Sequence, residues 1–401
     1  MTRTNGGVTA PKGFKASGIH AGIKAAPILD LALLVSDVEG PIAGVFTNNR
    51  IPAAPVILDR LHLKKPYGQA MIINSGNANA CTGAQGLLDA EEMAILVAKR
   101  LDIPPTSVFV GSTGVIGPRL SMPAIRNGIP LLMQRLRKSG HRDAARAIMT
   151  TDTTMKEIAV HTRIGKHLVS IGGMAKGSGM IHPDMATMLA YITTDAAIHP
   201  TVLQALLREA VDSSFNTISV DGETSTNDTV LCLANGMAGN PMLQAQTGNA
   251  KIFQLALNHV CQTLAMKICQ DGEGATKIVE ILVRGAKKDH DAKQIAKTLA
   301  TSPLVKTALF GEDPNWGRFM VAIGRSGPAI QPKHIEIAFE NVTMVKNGQE
   351  VTPSKERQVQ RVMKKKSYTI SIKVGKGKGS SKVWTTDFSY DYVKINASYR
   401  S

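Results

Sequence analysis

Gly173-Met174-Ala175-Lys176-Gly177-Ser178-Gly179-Met180-Ile181, then after three intervening residues Met185-Ala186-Thr187-Met188-Leu189-Ala190-Tyr191-Ile192, is the stretch on which the architecture turns. Residues 172–179 form a glycine-rich loop, and 186–192 read as an apolar strand. Three further polar loops interrupt apolar strands in the same way, at 74–83, 111–117 and 271–276. Strands ending in small, polar loops, with helical segments between them, predict an α/β fold.

Working outward, residues 66–74 predict a buried strand stopping at Asn74-Ser75-Gly76. Residues 88–101 predict a helix with Asp89, Glu91 and Glu92 in its first turn and Lys99 and Arg100 in its last, matching the helix dipole at both ends. A short strand at 108–110 runs into Gly111-Ser112-Thr113-Gly114, and a helix over 122–137 is interrupted by Gly128 and Pro130. Residues 161–171 predict a hairpin turning at Gly165-Lys166, 202–211 and 252–268 predict helices, and 277–283 a strand.

The character changes after Gly285. A short helix over 291–300 precedes the alternation of Ile335, Ile337 and Phe339. Asn347-Gly348 is a strong hairpin signal, because both residues tolerate positive φ. Ile370, Ile372 and Val374 alternate in turn, and the glycines and lysines of 375–379 read as a turn between strands. These features divide the chain into a main α/β domain, 1–285, and a smaller C-terminal α/β domain, 286–401.

The chain has 401 residues, 43% of them apolar and only 4% aromatic, with 36 glycines. No apolar run has the length of a membrane span. Residues 1–24 lack a signal-peptide core. Their cations without acids raise a short organelle-targeting leader, but structured sequence begins at Gly6, so the cytoplasm is the expected compartment. Much of the net charge of +16 lies between Lys346 and Lys382, including Lys364, Lys365 and Lys366. A strand pattern runs through that stretch and no aromatic stacking platform accompanies it, so it reads as a solvated face rather than a nucleic-acid surface. Cys81, Cys232, Cys261 and Cys269 form no C-x-x-C pair, which points to buried thiols and not to disulfides or zinc. Lys176 precedes Gly177 where a phosphate loop needs Gly-Lys-Ser/Thr, and the glycines near 375 precede a strand where a dinucleotide site needs a helix. No metal or cofactor is expected.

Loops of this kind offer backbone N–H groups and small hydroxyls to a carboxylate or an oxyanion. From spacing alone each also reads as ordinary turn chemistry, and nothing in the periodicity marks Thr187 as a nucleophile.

Ten segments, taken in order, carry more information. They are Gly44-Val45-Phe46-Thr47-Asn48-Asn49-Arg50, 74–83 (NSGNANACTG), Ser112-Thr113-Gly114-Val115-Ile116-Gly117, 148–153 (IMTTDT), 173–181 (GMAKGSGMI), Met185-Ala186-Thr187, Val220-Asp221-Gly222, 224–228 (TSTND), 313–318 (DPNWGR) and Val393-Lys394-Ile395-Asn396-Ala397. Through them the sequence resembles the ornithine acetyltransferase family of arginine biosynthesis, nearly end to end.

The resemblance implies a self-cleaving α/β sandwich of the N-terminal-nucleophile type. Cleavage between Ala186 and Thr187 would leave chains 1–186 and 187–401, assembled as a heterotetramer of two copies of each. Thr187 would be the nucleophile, Thr113 and Gly114 the oxyanion donors, and Thr150, Lys176, Thr187, Glu273, Asn396 and Ser401 the substrate contacts. The implied reaction moves acetyl from N-acetylornithine to glutamate. Some family members also use acetyl-CoA as a co-substrate, and no residue read here decides that. Asp184 stands where the family pattern has Asn, Glu223 where it has Asp, and Ser121 where it has Pro. The alternatives weighed are a self-processing aminopeptidase or amidase of related architecture, and a basic nucleic-acid-binding protein.

Overall fold

The computed structural model describes residues 1–182, 188–352 and 355–398. The chain opens with β1 (Thr2–Thr4), β2 (Phe14–Ile19) and the long β3 (Leu31–Phe46), followed by α1 (Ala54–His62), β4 (Tyr67–Asn77), α2 (Gly83–Leu101), β5 (Val108–Val115), α3 (Met122–Gln134) and α4 (His141–Ala147). Then come β6 (Lys156–Ile164), β7 (His167–Lys176), β8 (Leu189–Thr194), α5 (Pro200–Asp212), the two-residue β9 (Ile218–Ser219), β10 (Thr229–Ala234) and α6 (Gly248–Gln270).

The strands of this part, β9 excepted, form one nine-stranded sheet in the order β1-β6-β7-β8-β10-β3-β4-β5, with β2 also on β3. β3 belongs to two halves. Leu31–Val35 pairs with β2 and β4, a register shift follows before Gly40, and Ile42–Phe46 pairs with β10. Side chains on the two halves alternate between cores, as strand periodicity requires. Ala190 and Ile192 of β8 join α5 and α6, while Tyr191 faces a central core with Leu34, Met71, Ile73 and Phe109. Leu33, Ile72 and Val110 turn the other way, onto α2 and α3. The layers are therefore helix, half-sheet, half-sheet, helix: an α/β sandwich.

The second sheet is built by β11 (Ile278–Ala286), α7 (Asp289–Ala300), α8 (Pro303–Phe310), α9 (Trp316–Gly324), β12 (Glu336–Phe339), β13 (Val342–Lys346), β14 (Gln349–Glu350), α10 (Glu356–Met363), β15 (Ser367–Lys373), β16 (Gly379–Thr386) and the terminal α11 (Tyr390–Ser398). Its order is β14-β13-β12-β15-β11-β16-β9, so the earlier strand β9 closes its edge. Ile281, Ile337 and Ile370 pack there with Ile295 and Phe319. Asn347 and Gly348 take the left-handed conformation, with φ of 52° and 75°, that the hairpin between β13 and β14 needs. Lys364, Lys365 and Lys366 are exposed, and Lys365, Lys373 and Lys382 pair with Glu340, Glu336 and Glu280.

Four local expectations need correction. The glycine-rich loop begins later than its composition suggests, because Gly172 and Gly173 lie inside β7. A Cβ on Gly172 would sit 2.0 Å from the Gly7 carbonyl oxygen, so close packing against the first turn, and not loop freedom, selects glycine there. α2 starts at Gly83 and not at residue 88, which moves Asp89 out of the first turn. Asn79 orders the glycine-rich start by donating to the Gly86 carbonyl at 2.8 Å. Finally, Cys232, Cys261 and Cys269 are buried, but Cys81 is exposed in a turn with φ of 58°. Pro130 lies within α3 without ending it, and the helix stops three residues short, at Gln134.

Candidate active site

The parallel strands β4 and β5 end side by side, with Ser75 opposite Thr113 and Gly76 opposite Gly114. Asn227 locks this end: its side-chain amide donates to the Ala78 carbonyl at 2.6 Å and the Ser112 carbonyl at 2.8 Å. Gly114 adopts φ of +132°, and a Cβ there would lie 2.3 Å from the Gly76 carbonyl carbon. No other residue fits.

β7 delivers Lys176 to the same place. Its ammonium is buried and donates to Thr150 Oγ1 at 2.8 Å and Thr113 Oγ1 at 3.3 Å. Thr113 Oγ1 thus accepts from the lysine and keeps its own proton to give elsewhere. Burial pushes the Lys176 pKa below its ordinary value, partly offset by the Asp152 carboxylate. Burial alone would raise Asp152, but the Lys176 and Lys156 ammoniums and the Gly177 N–H outweigh it and hold it at about 2.

Glu273 comes from the loop ahead of β11. That loop is fixed below by Asp387, which accepts from the Thr276 and Lys277 N–H groups at 2.8 and 2.9 Å. It is fixed above by Glu273 N–H donating to the Ser178 carbonyl at 2.9 Å. α11 lies across the opening, and Asn396 Nδ2 donates to Glu273 Oε2 at 2.9 Å.

The result is a cavity of about 70 Å³ that Thr113, Gly114, Thr150, Lys176, Glu273 and Asn396 all line, together with Asn227 and Ser225. Six residues from five separate segments of sequence therefore meet. Ala186, Thr187, Asp184 and Ser401 lie outside the described residues. Met188 is the first described residue after them; its N–H donates to Asp228 Oδ1 at 2.9 Å. Asp228 is fully buried, its Oδ2 has no partner among the described residues, and burial raises its pKa far above the carboxylate range. Among the described residues no three side chains gather as metal ligands, and no helix is long and apolar enough to cross a membrane.

Asp152, Asn227, Asp228 and Asp271 carry no local signal in the sequence that marks them out. Asp152, Asn227 and Asp228 lie within the quoted segments, and Asp271 opens one of the four polar loops. Their roles are contacts across the fold, which spacing along the chain does not carry.

The layers, with strand ends gathered around one polar cavity, define an α/β sandwich that carries a polar site at its strand ends. The ArgJ family model matches residues 15–401. A relative from Nostoc, "Arginine biosynthesis bifunctional protein ArgJ 1", is 48% identical over 403 residues, covering 98% of each chain. The "Arginine biosynthesis bifunctional protein ArgJ" from Geobacter sulfurreducens is 47% identical over 390 residues, covering 97% of this chain and 99% of its own. The crystal structure of the Bacillus halodurans protein of that name is 41% identical with a TM-score of 0.50, covering 52% of this chain and 98% of that one. The chain belongs to the ArgJ family.

Proposed function

We propose that this protein moves the acetyl group of N-acetylornithine to glutamate, in arginine biosynthesis, through an acetyl-Thr187 intermediate. The observation that carries this reading is the convergence of Thr113, Gly114, Lys176 and Glu273 on one cavity, beside the strand whose first described neighbour is Met188. The cavity offers a hydroxyl and a backbone N–H to an oxyanion, and a cation and an anion to the two ends of a diamino acid.

Thr187 must first become chain-terminal. Its hydroxyl attacks the Ala186 carbonyl, the peptide nitrogen leaves as the amine, and water hydrolyses the resulting ester. An ordinary α-amine titrates at about 7.7–8.0, so such a group has a useful unprotonated fraction at neutral pH and can take the hydroxyl proton. Thr187 Oγ then attacks the acetyl carbonyl of the donor. The tetrahedral oxyanion is held by the Thr113 hydroxyl and the Gly114 N–H, a donor of this kind contributing about 2.7–4 kcal/mol. Ornithine leaves with the proton. The glutamate amine attacks the acetyl ester, and Thr187 is regenerated. Lys176 suits the substrate carboxylate and Glu273 the side-chain ammonium, with Thr150, Asn396 and Ser401 completing the contacts. Acetyl-CoA can enter the same acylation step as an alternative donor.

The two domains proposed are 1–285 and 286–401, with β9 and most of β11 joining the second sheet from ahead of that boundary. The processed pieces, 1–186 and 187–401, assemble two and two in the cytoplasm. The matched extent of the Bacillus halodurans chain, 52% of this one, agrees in size with residues 187–401, slightly over half of the sequence.

The test is a denaturing gel of purified protein with N-terminal sequencing, beside an assay of labelled acetyl passing from N-acetylornithine to glutamate. Two fragments are expected, the larger beginning at Thr187, with one intact and inactive band for Thr187→Ala. An active but unbroken chain sinks the mechanism, and release of free acetate alone makes the protein a hydrolase of the aminopeptidase or amidase kind.

A further inference from the structure

Lys156, at the start of β6, is a fully buried lysine that no step of the proposed reaction uses. Its ammonium lies 2.7 Å from Asp152 Oδ1 and 2.5 Å from Asp271 Oδ2, and it also donates to the Thr154 carbonyl at 3.2 Å. Both carboxylates are bonded onward to backbone. Asp152 accepts the Thr150 N–H at 3.0 Å and the Gly177 N–H at 2.7 Å. Asp271 accepts the N–H groups of Thr153 and Thr154, at 3.0 and 3.2 Å, and the Thr153 hydroxyl.

One cation therefore ties together three segments, and each carries a cavity residue. Thr150 begins the first, Lys176 precedes Gly177 in the second, and Glu273 stands two residues beyond Asp271 in the third. The segments are cross-braced above by Thr151 and Ser178, whose hydroxyls lie 2.6 Å apart. A buried charge cluster of this kind is a poor source of stability, since well-packed apolar side chains do as well or better. What it supplies is fixed geometry: a bonded ammonium tolerates much less displacement than an apolar contact.

We propose that Lys156 is a positioning residue that determines substrate length, by setting the distance between the Lys176 ammonium and the Glu273 carboxylate. The inference rests on the reading that these two charges hold the two ends of a diamino acid. A chain one carbon shorter or longer then leaves one buried charge without its partner, and the discrimination depends on how rigidly the two loops are held apart.

The experiment measures binding of ornithine, 2,4-diaminobutyrate and lysine by calorimetry on wild-type protein, Lys156→Arg, Asp271→Asn and Lys156→Met, with steady-state kinetics alongside. Lys156→Arg keeps the charge with a different reach, and Asp271→Asn keeps a polar group of the same shape. Both therefore carry the test if Lys156→Met does not fold. The expected result is that wild type prefers ornithine, and that this preference falls about tenfold in both variants, a change of about 1.4 kcal/mol. The KM for N-acetylornithine should rise about tenfold with kcat nearly unchanged, the pattern of lost binding rather than lost chemistry. Folded variants with an unchanged preference and only a lower melting temperature overturn the proposal and leave the donor assignment standing. Absence of ornithine binding to wild type overturns both.

Discussion

At the scale of the residue, Gly114 and Thr113 show how little side-chain chemistry this site needs. A methyl group on Gly114 would meet the Gly76 backbone, so Gly114→Ala must displace the end of β5 and with it the N–H proposed to meet the oxyanion. Transfer should fall at least about a hundredfold in kcat, while the protein still melts cooperatively; stopped assays on the purified variant beside a thermal melt measure both. From the sequence alone Thr113-Gly114 is an ordinary turn. Its distinction comes from Lys176, 63 positions away, occupying one lone pair of the Thr113 hydroxyl, and from Gly76 on the adjacent strand. Neither fact has a local signature. The family resemblance, built from ordered segments, named these residues where physical reading of their spacing did not.

At the scale of the element, the decisive piece is the short run that follows β7. Asp221 accepts the N–H groups of Met180 and Ile181 at 2.6 and 2.9 Å and of Glu223 at 3.2 Å. Burial raises its pKa from 3.8 to about 6, although the three N–H donors oppose the shift. Between those values the folded carboxyl keeps a proton that the unfolded one has released. Stability contributed by this group therefore falls as pH rises from about 4 to about 6 and then stays level. Asp221→Asn cannot titrate, so its melting temperature relative to wild type should improve across that window by several degrees and hold constant above it. Paired thermal melts at pH 4.5 and 7 decide the point, and an unchanged difference removes Asp221 as the cause. Elements governed by local chemistry were legible: the Asn347-Gly348 hairpin, the turn at Gly165-Lys166, and the helices later seen as α5, α6 and α7. Misreadings arose where glycine served packing instead of turning. Gly172 inside β7 and Gly86 inside α2, where a Cβ would lie 1.8 Å from Thr82 Oγ1, gave no sign of belonging to these elements, because composition cannot tell a residue that must bend from one that must be thin.

At the scale of the whole molecule, the order of strands matters more than their number. β8 and β10, which follow residue 187, stand side by side between β7 and β3, which precede it. Sequence periodicity reports which face a strand buries and says nothing of its neighbours, so this interleaving was not legible. A cut at 186–187 would leave two pieces sharing one continuous sheet and one central core, in which Leu189, Tyr191 and Leu231 pack against Leu34, Met71 and Phe109. The pieces should therefore elute together in native size-exclusion chromatography at any salt concentration and part only in denaturant. Separation in high salt alone would show that surface charge, and not the shared core, holds them.

The same interleaving would give a chain cut at 186–187 an unusual relation to time. The covalent thread that once guided strand 189–194 between its neighbours would no longer exist, and two independent coils would have to find each other with their strands already alternating. Such a molecule has a way out of its native state but hardly a way back. Its survival is then governed by the height of the barrier to first opening, much as a sealed vessel depends on its wall and not on the depth to which it is filled.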